Sequence, residues 1–106
     1  MPLKSRYSSN LTGKVNYGHK VVVSIISLAT LEIRGVAHLQ GKEIRIERVG
    51  DVLNIDVYID VFVGFSCADV AYRVQENVKR SLESMTSYKA GTINVNVLGV
   101  SFDETK

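Results

Sequence analysis

Residues 64–102, GFSCADVAYRVQENVKRSLESMTSYKAGTINVNVLGVSF, decide the fold of this chain of 106 amino acids. In their first part, apolar residues recur every three or four positions, as on one face of a helix. These apolar positions are Val70, Ala71, Val74, Val78, Leu82 and Met85. Ser66 is suited to cap the helix, because its hydroxyl can accept a hydrogen bond from an otherwise free amide. The pattern runs to Gly91, after which polar and apolar residues alternate as in a half-buried strand.

Charged residues occupy the other face of this predicted helix. Three pairs of opposite charge lie one turn apart, and each such pair stabilises an exposed helix by about 0.2–0.5 kcal/mol. The pairs are Asp69 with Arg73, Glu76 with Arg80, and Lys79 with Glu83. We interpret them as support for the helix rather than as a reaction centre.

The strand that follows is predicted over residues 92–102, with an irregularity in its middle. Its inward-facing series Ile93, Val95 and Val97 changes phase at Leu98-Gly99. One extra residue reverses the facing of every residue after it, so we predict a β-bulge at this point. Because strand–helix–strand connections within one sheet are usually parallel and right-handed, this strand should run parallel to the one that precedes the helix.

A β-hairpin is predicted around Gly50-Asp51, a pair suited to a two-residue turn. The register that follows pairs Val49 with Val52, Ile46 with Ile55, Ile44 with Val57 and Arg45 with Asp56. Apolar residues then meet on one face and opposite charges on the other, as a correct register requires. The second strand continues to Val63, so its far half must pair with another strand.

An apolar run over residues 19–34 is compatible with either a strand or a helix. Its β-branched residues favour a strand, whereas helical spacing is shown by Val22, Ile25, Ile26, Ala29 and Ile33. We predict a largely buried helix that ends at Gly35, since glycine suits the left-handed position after a helix. The whole is then a small α+β domain, in which a mixed sheet of hairpin and β-α-β crossover carries two helices on one face. The wide apolar surface of the first helix should pack on the sheet and on either the second helix or another subunit.

Length and composition indicate one folded domain, with 45% hydrophobic residues and a single Pro. Residues 1–20 contain four basic residues and no acid, a charge of +4, and the remaining nine basic and eleven acidic residues give −2. We assign residues 1–11 to a flexible basic arm and residues 12–106 to the domain. A net charge of +2 is too small to indicate a nucleic-acid partner by itself.

Cysteine usage and hydropathy favour a cytoplasmic protein without a membrane span. Cys67 is the only cysteine, so no disulfide can form within the chain. We expect it to be a small buried side chain under the sheet, although a thiolate favoured by the helix start is the alternative. The longest apolar run, residues 21–33, is interrupted by polar residues and falls short of the roughly 20 that a span needs. No secretory signal precedes it.

No catalytic, metal or cofactor site is predicted. His19 and His38 do not have the spacing of a metal-binding pair. Asp56 and Asp60 share one face of a strand but would lie about 13 Å apart, beyond the roughly 5–9.5 Å of paired glycosidase carboxylates. The glycines do not form a phosphate loop or a dinucleotide fingerprint.

The strand face opposite the helices is predicted to bind a partner. The order helix, strand, strand, helix, strand is similar to that of KH-like RNA-binding modules, and the face carries aromatic side chains on which bases can stack. However, the Gly-x-x-Gly loop of those modules is missing, and Asp56 and Asp60 would repel phosphate. We therefore interpret the face as a protein-binding surface, with a KH-like nucleic-acid binder as the alternative. Its predicted contact residues are Tyr58, Phe62, Asn94 and Asn96.

Two parts of the sequence together carry a family pattern. The first is Gly13-Lys14-Val15 followed by Val22, Ile25, Ile26, Ala29, Glu32 and Gly35-Val36. The second and more specific part is VQENVK at residues 74–79, Met85-Thr86, and INVNVLGVSF at residues 93–102. In these motifs the chain resembles the alkaline shock protein family of Gram-positive bacteria, also called the envelope stress response family.

That resemblance implies a non-enzymatic cytoplasmic protein without a cofactor. Relatives are recruited to the membrane by a separate anchor protein and are tied to cell-envelope homeostasis, and some are linked to lipid synthesis. The resulting hypothesis is an interaction module that forms a homo-oligomer and binds a membrane-anchored protein. It would do so through either the first helix or the strand face described above.

Overall fold

The computed structural model describes residues 18–39 and 44–102, which form two helices and four strands. In chain order these are α1 His19–Leu31, β1 Val36–Leu39, β2 Arg45–Val49, β3 Val52–Phe62, α2 Cys67–Met85 and β4 Lys89–Ser101. The predicted basic arm, residues 1–11, and the predicted domain start at residue 12 lie outside the described residues.

β3 is the centre of a mixed sheet, as predicted. One of its edges pairs antiparallel with β2 over residues 52–56 and with β1 over residues 59–61. The far half of β3, which was predicted to need another partner, therefore pairs with β1, a strand that the predicted order of helix, strand, strand, helix, strand did not include. The opposite edge of β3 pairs in parallel with β4 along its length. The crossover through α2 thus joins two parallel neighbours.

The predicted hairpin register is confirmed over Arg45–Val49, since Val49 pairs with Val52 and Arg45 with Asp56. The predicted pair of Ile44 with Val57 is not formed, because β2 begins at Arg45. The predicted bulge is confirmed too. Ile59 pairs with Val97 and Asp60 with Gly99, which leaves Leu98 as the extra residue in β4. A second irregularity was not predicted: between Leu53 and Ile55 of β3, β4 gains one residue near Gly91.

The core lies between the helices and one face of the sheet. Residues of β3 alternate strictly between buried and half-buried, so every second side chain enters the core. The two helices contribute to the same cluster, which confirms that both pack on one face of the sheet. Its central members are Val22, Ile26 and Ala29 of α1, Leu53, Ile55, Val57, Ile59 and Val61 of β3, and Val70, Val74, Val78 and Leu82 of α2.

A polar contact joins the two helices at the end of α1. The side-chain amide of Asn77 on α2 donates to the Ala29 carbonyl at 2.7 Å and to Glu32 Oε1 at 2.9 Å. The last carbonyls of a helix have no partner within the helix, so Asn77 satisfies one of them from outside. α1 therefore packs on the second helix, which was one of the two neighbours predicted for it.

Both helices end earlier than predicted. α1 ends at Leu31 rather than at Gly35, and Gly35, with φ +106°, lies in the turn to β1. A Cβ on Gly35 would lie 2.8 Å from Val70 Cγ2, so a close approach to α2 requires glycine there. α2 ends at Met85 rather than at Gly91, because the Thr86 hydroxyl donates to the Leu82 carbonyl and accepts the Tyr88 amide.

The early end of α2 changes the elements that follow it. β4 begins at Lys89, three residues before the predicted start, and the Tyr88 side chain enters the core. Close contacts around residue 91 explain why this position is a glycine. A Cβ there would lie 2.5 Å from Asn54 Oδ1 and 2.7 Å from Val52 Cγ1.

Three further expectations about α2 and β3 are wrong. Cys67, expected under the sheet, is exposed, because it is the first residue of α2 and precedes the buried stripe. Met85, the last residue of the helix, is exposed as well. Val63 is also exposed, because β3 ends at Phe62.

The charged face of α2 forms one of the predicted ion pairs. Arg73 Nε donates to Asp69 Oδ2 at 2.9 Å. Two members of the other pairs bond elsewhere: Arg80 donates to Asn77 Oδ1 at 3.4 Å, and the Glu83 carboxylate accepts the Ala90 amide at 2.9 Å. The Ser66 cap is confirmed, since its Oγ accepts the Asp69 amide at 3.2 Å.

Candidate partner-binding face

The face of the sheet opposite the helices, which we name the open face, is built by the alternation of β3. Its β3 residues are Asn54, Asp56, Tyr58, Asp60 and Phe62, all half-buried. β4 contributes Asn94 and Asn96, which lie in register beside Asp56 and Tyr58. Strand neighbours in register point to the same face, so these side chains form one continuous surface.

The structure brings three of the four predicted contact residues together. Tyr58 and Asn96 are direct neighbours across the β3–β4 pair, and Asn94 lies two residues before Asn96 on the same face. Phe62 is separate from them. It lies four residues beyond Tyr58, about 13 Å along the strand, and beside Ser101.

The asparagine side chains of β4 are held in place by β3. Asn94 Nδ2 donates to Asp56 Oδ1 at 2.8 Å, and Asn96 Nδ2 donates to the Val57 carbonyl at 3.2 Å. Each amide therefore has a fixed direction before any partner binds. Its remaining carbonyl oxygen is available to accept a hydrogen bond from another molecule.

A third amide, Asn54, anchors the start of this surface. Its Oδ1 accepts the Thr92 amide at 2.9 Å and the Thr92 hydroxyl at 3.0 Å. This contact occupies the irregular part of β4, where the extra residue near Gly91 frees the Thr92 amide from the regular ladder. The side chain thus satisfies a donor that the bulge leaves unpaired.

A polar concavity of about 610 Å³ opens beside these side chains. Its polar lining residues are Arg45, Glu47, Asn54, Asp56, Thr92 and Asn94. The contributions of Arg45, Glu47 and Thr92 were not predicted. The contribution of Arg45 could have been predicted, because the hairpin register places it opposite Asp56. The contribution of Thr92 could not, because it depends on the irregularity near Gly91, which was not predicted.

Charges of both signs surround the aromatic side chains of the open face. Arg45 pairs in register with Asp56 on the β2 side of β3. On the β1 side, His38 Nδ1 lies 3.6 Å from Asp60 Oδ2. Tyr58 thus lies between two carboxylates on its own strand, a setting that disfavours an approaching phosphate backbone.

α1 presents a second exposed apolar surface. Its buried residues face α2 and the sheet, whereas Val21, Leu28 and Leu31 remain exposed on another side. The residues that the structure describes therefore cover the predicted wide apolar surface only in part. Among the described residues, no helix has both the length and the apolar character needed to cross a membrane.

Comparison with known proteins gives a family and a fold. Residues 40–102 match the family model of alkaline shock protein 23, described as having a cell envelope-related function. The Bacillus subtilis (strain 168) protein YqhY is 32% identical in an alignment of 117 positions that covers 95% of this chain and 87% of YqhY.

The similarity to solved structures concerns the fold alone. A point variant of MamM CTD superimposes with a TM-score of 0.65 at 18% identity, covering 77% of this chain and 99% of that chain. A triple variant of MamM CTD gives a TM-score of 0.63 at 19% identity, covering 76% and 93% of the two chains. Both similarities support the α+β architecture.

Proposed function

This chain belongs to the alkaline shock protein 23 family, and from that premise we propose that it is a non-enzymatic interaction protein of cell-envelope homeostasis. It acts in the cytoplasm, self-associates, and is recruited to the membrane by a separate anchor protein. The cell envelope-related function described for the family supports the first part of this proposal.

The observation that carries the partner-binding part is the open face. Tyr58 and Phe62 are large aromatic side chains on the face that the helices leave uncovered. Tyrosine and other aromatic residues supply much of the binding energy at protein interfaces, because they bury a large area with few rotatable bonds. Asn94 and Asn96 add hydrogen-bonding groups whose directions β3 already holds. Little conformational entropy is then lost when a partner binds.

The test is membrane association of the full chain in its own cells. Tyr58→Ser and Phe62→Ser, singly and combined, should release the protein from the sedimented membrane fraction into the supernatant. The matched control is Tyr72→Ser, because Tyr72 is 59% exposed but lies on α2, away from the open face. Circular dichroism confirms that each variant is folded.

Two results would contradict the proposal. Membrane association that survives the double substitution would reject the open face as the site of partner binding. Salt-dependent binding of RNA by the purified protein, lost in the Tyr58→Ser variant, would favour the nucleic-acid alternative instead.

A further inference from the structure

β4 is an edge strand in the described part of the sheet, where it pairs only with β3. An edge strand presents a row of backbone N–H and C=O groups with which another strand can pair. β4 is 13 residues long, whereas strands in globular proteins most often have about 5–6 residues. Its outer edge is therefore an extended template for strand addition.

Side chains of α2 cover only the first part of that edge. The Glu83 carboxylate accepts the Ala90 amide at 2.9 Å, and the Gln75 side-chain amide donates to the Ile93 carbonyl at 2.8 Å. These contacts satisfy outward-pointing backbone groups without another strand, which is one way in which proteins block an edge.

The second part of the edge has no such cover. Backbone groups of successive strand residues point to alternate sides, so those of Val95 and Val97 point outward as that of Ile93 does. After the bulge, the Ser101 carbonyl faces β3 and accepts the Val63 amide at 2.8 Å, which places Val100 outward. Within the described residues, no hydrogen bond reaches the outward groups of Val95, Val97 and Val100.

This uncovered part, residues 95–102, is named the free edge. Its exposed side chains are apolar: Leu98 is 60%, Val100 49% and Phe102 79% exposed. Residues 90–102 contain no charged residue and no proline, the two residue kinds that usually protect an edge. β2, on the other side of β3, carries Arg45, Glu47 and Arg48 over only five residues.

We propose that a second copy of this chain adds its own β4 to the free edge in antiparallel orientation. This inference rests on the self-association in the proposed function and identifies its surface. Two neutral, identical segments can face each other without opposing like charges. A two-fold pair of this kind also closes on itself, so it yields a dimer with one continuous sheet rather than a filament.

The test measures the mass of the full chain by sedimentation velocity over a concentration series. Val100→Pro removes one outward N–H and none of the hydrogen bonds to β3, and Leu98→Lys places a charge on the free edge. Each should raise the dimer dissociation constant at least tenfold. The control Leu28→Lys introduces the same charge at a leucine that is 65% exposed on α1, and it should leave the constant unchanged.

Hydrogen exchange provides a readout that does not depend on any variant. In the wild-type chain, the amides of Val95, Val97 and Val100 should exchange more slowly as protein concentration rises, whereas amides of α1 should not change. A wild-type chain that self-associates with fast exchange at these three amides, or whose mass is insensitive to both β4 substitutions, would overturn the free edge as the surface. A monomer at all concentrations would instead reject the self-association on which the inference rests.

Discussion

Replacing Asn77 by alanine should weaken the contact between α1 and α2 and lower the stability of the protein. The substitution removes the hydrogen bonds from Asn77 to the Ala29 carbonyl and to Glu32 Oε1, and also the long, exposed contact of 3.4 Å from Arg80 to Asn77 Oδ1. A hydrogen bond between neutral groups contributes about 0.5–1.5 kcal/mol and one to a charged group about 1.5–3 kcal/mol. Because the Glu32 contact is exposed, we reduce its share strongly and expect a total loss of about 1–2 kcal/mol.

Urea denaturation followed by circular dichroism measures this loss as a change in the midpoint at constant slope. Each 1 kcal/mol corresponds to about 4–8 °C in Tm for a domain of this size. Glu32→Gln is the matched control, because it keeps an acceptor oxygen for Asn77 and removes only the charge, so it should cost less than Asn77→Ala. A loss below about 0.3 kcal/mol for Asn77→Ala would refute the reasoning, since it would mean that water replaces Asn77 at the Ala29 carbonyl without cost.

Five other substitutions, at four positions, test the fold in the same assay. Ile59→Ala, at the buried centre of β3, should lower the free energy of unfolding by about 2–5 kcal/mol. Leu28→Ala, on the exposed side of α1, should change it by less than about 0.5 kcal/mol. Similar losses of stability at both positions would contradict the assigned core. Ser66→Ala should cost about 0.5–2 kcal/mol through loss of the α2 cap, and Ser66→Asp should retain the stability. Gly91→Ala should destabilise the protein by about 1–3 kcal/mol, because the new Cβ would displace the Asn54 side chain from Thr92. An unchanged midpoint of urea denaturation would show instead that this part of β4 can shift to make room for the methyl group.

The pairing of β2 with β3 was predictable because it depends on short-range periodicity and on one turn, whereas β1 was not predicted as a strand. Gly50-Asp51 sets the register of β2 and β3, and any slip by one residue would turn Ile55 and its neighbours out of the core. The bulge at Leu98 was predictable for the same reason, since a change of phase in an alternating pattern has few other causes. Long alternating patterns with one buried face, in β3 and in the second half of β4, are therefore predictable from the sequence.

The helix ends were not predictable in this way, because side-chain contacts decide them. Residues 86–90 after α2 carry no strong helix-breaking signal, and the end at Met85 depends on the two hydrogen bonds of the Thr86 hydroxyl. The burial of Tyr88 then fixes the start of β4. The predicted burial of Cys67 was wrong for a related reason. Its exposure depends on where the helix begins relative to the sheet, and helix propensity does not determine that position.

The sequence predicted which side chains share the open face, but not the concavity that opens beside them. Alternation along β3 placed Tyr58 and Phe62 opposite the helices, and the parallel pairing placed Asn94 and Asn96 on the same side. The concavity beside them also needs Thr92 and the irregularity near Gly91, which arises from a close approach between strands. Such a contact joins residues that are far apart in the sequence, so no local sequence pattern predicts it.

The two proposed surfaces have a joint consequence that can be measured. Antiparallel addition of β4 to β4 relates two copies by a two-fold axis perpendicular to the sheet, so both open faces point to the same side. A dimer then presents two identical faces to partners in one membrane, and such bivalent binding can exceed the single affinity by about 10²–10⁴-fold. Leu98→Lys should therefore weaken membrane association although Tyr58 is intact, whereas Tyr58→Ser should weaken it without changing the mass of the soluble protein. Membrane association of Leu98→Lys at the wild-type level, together with a monomeric mass, would show that a single open face is sufficient and that the two surfaces act independently.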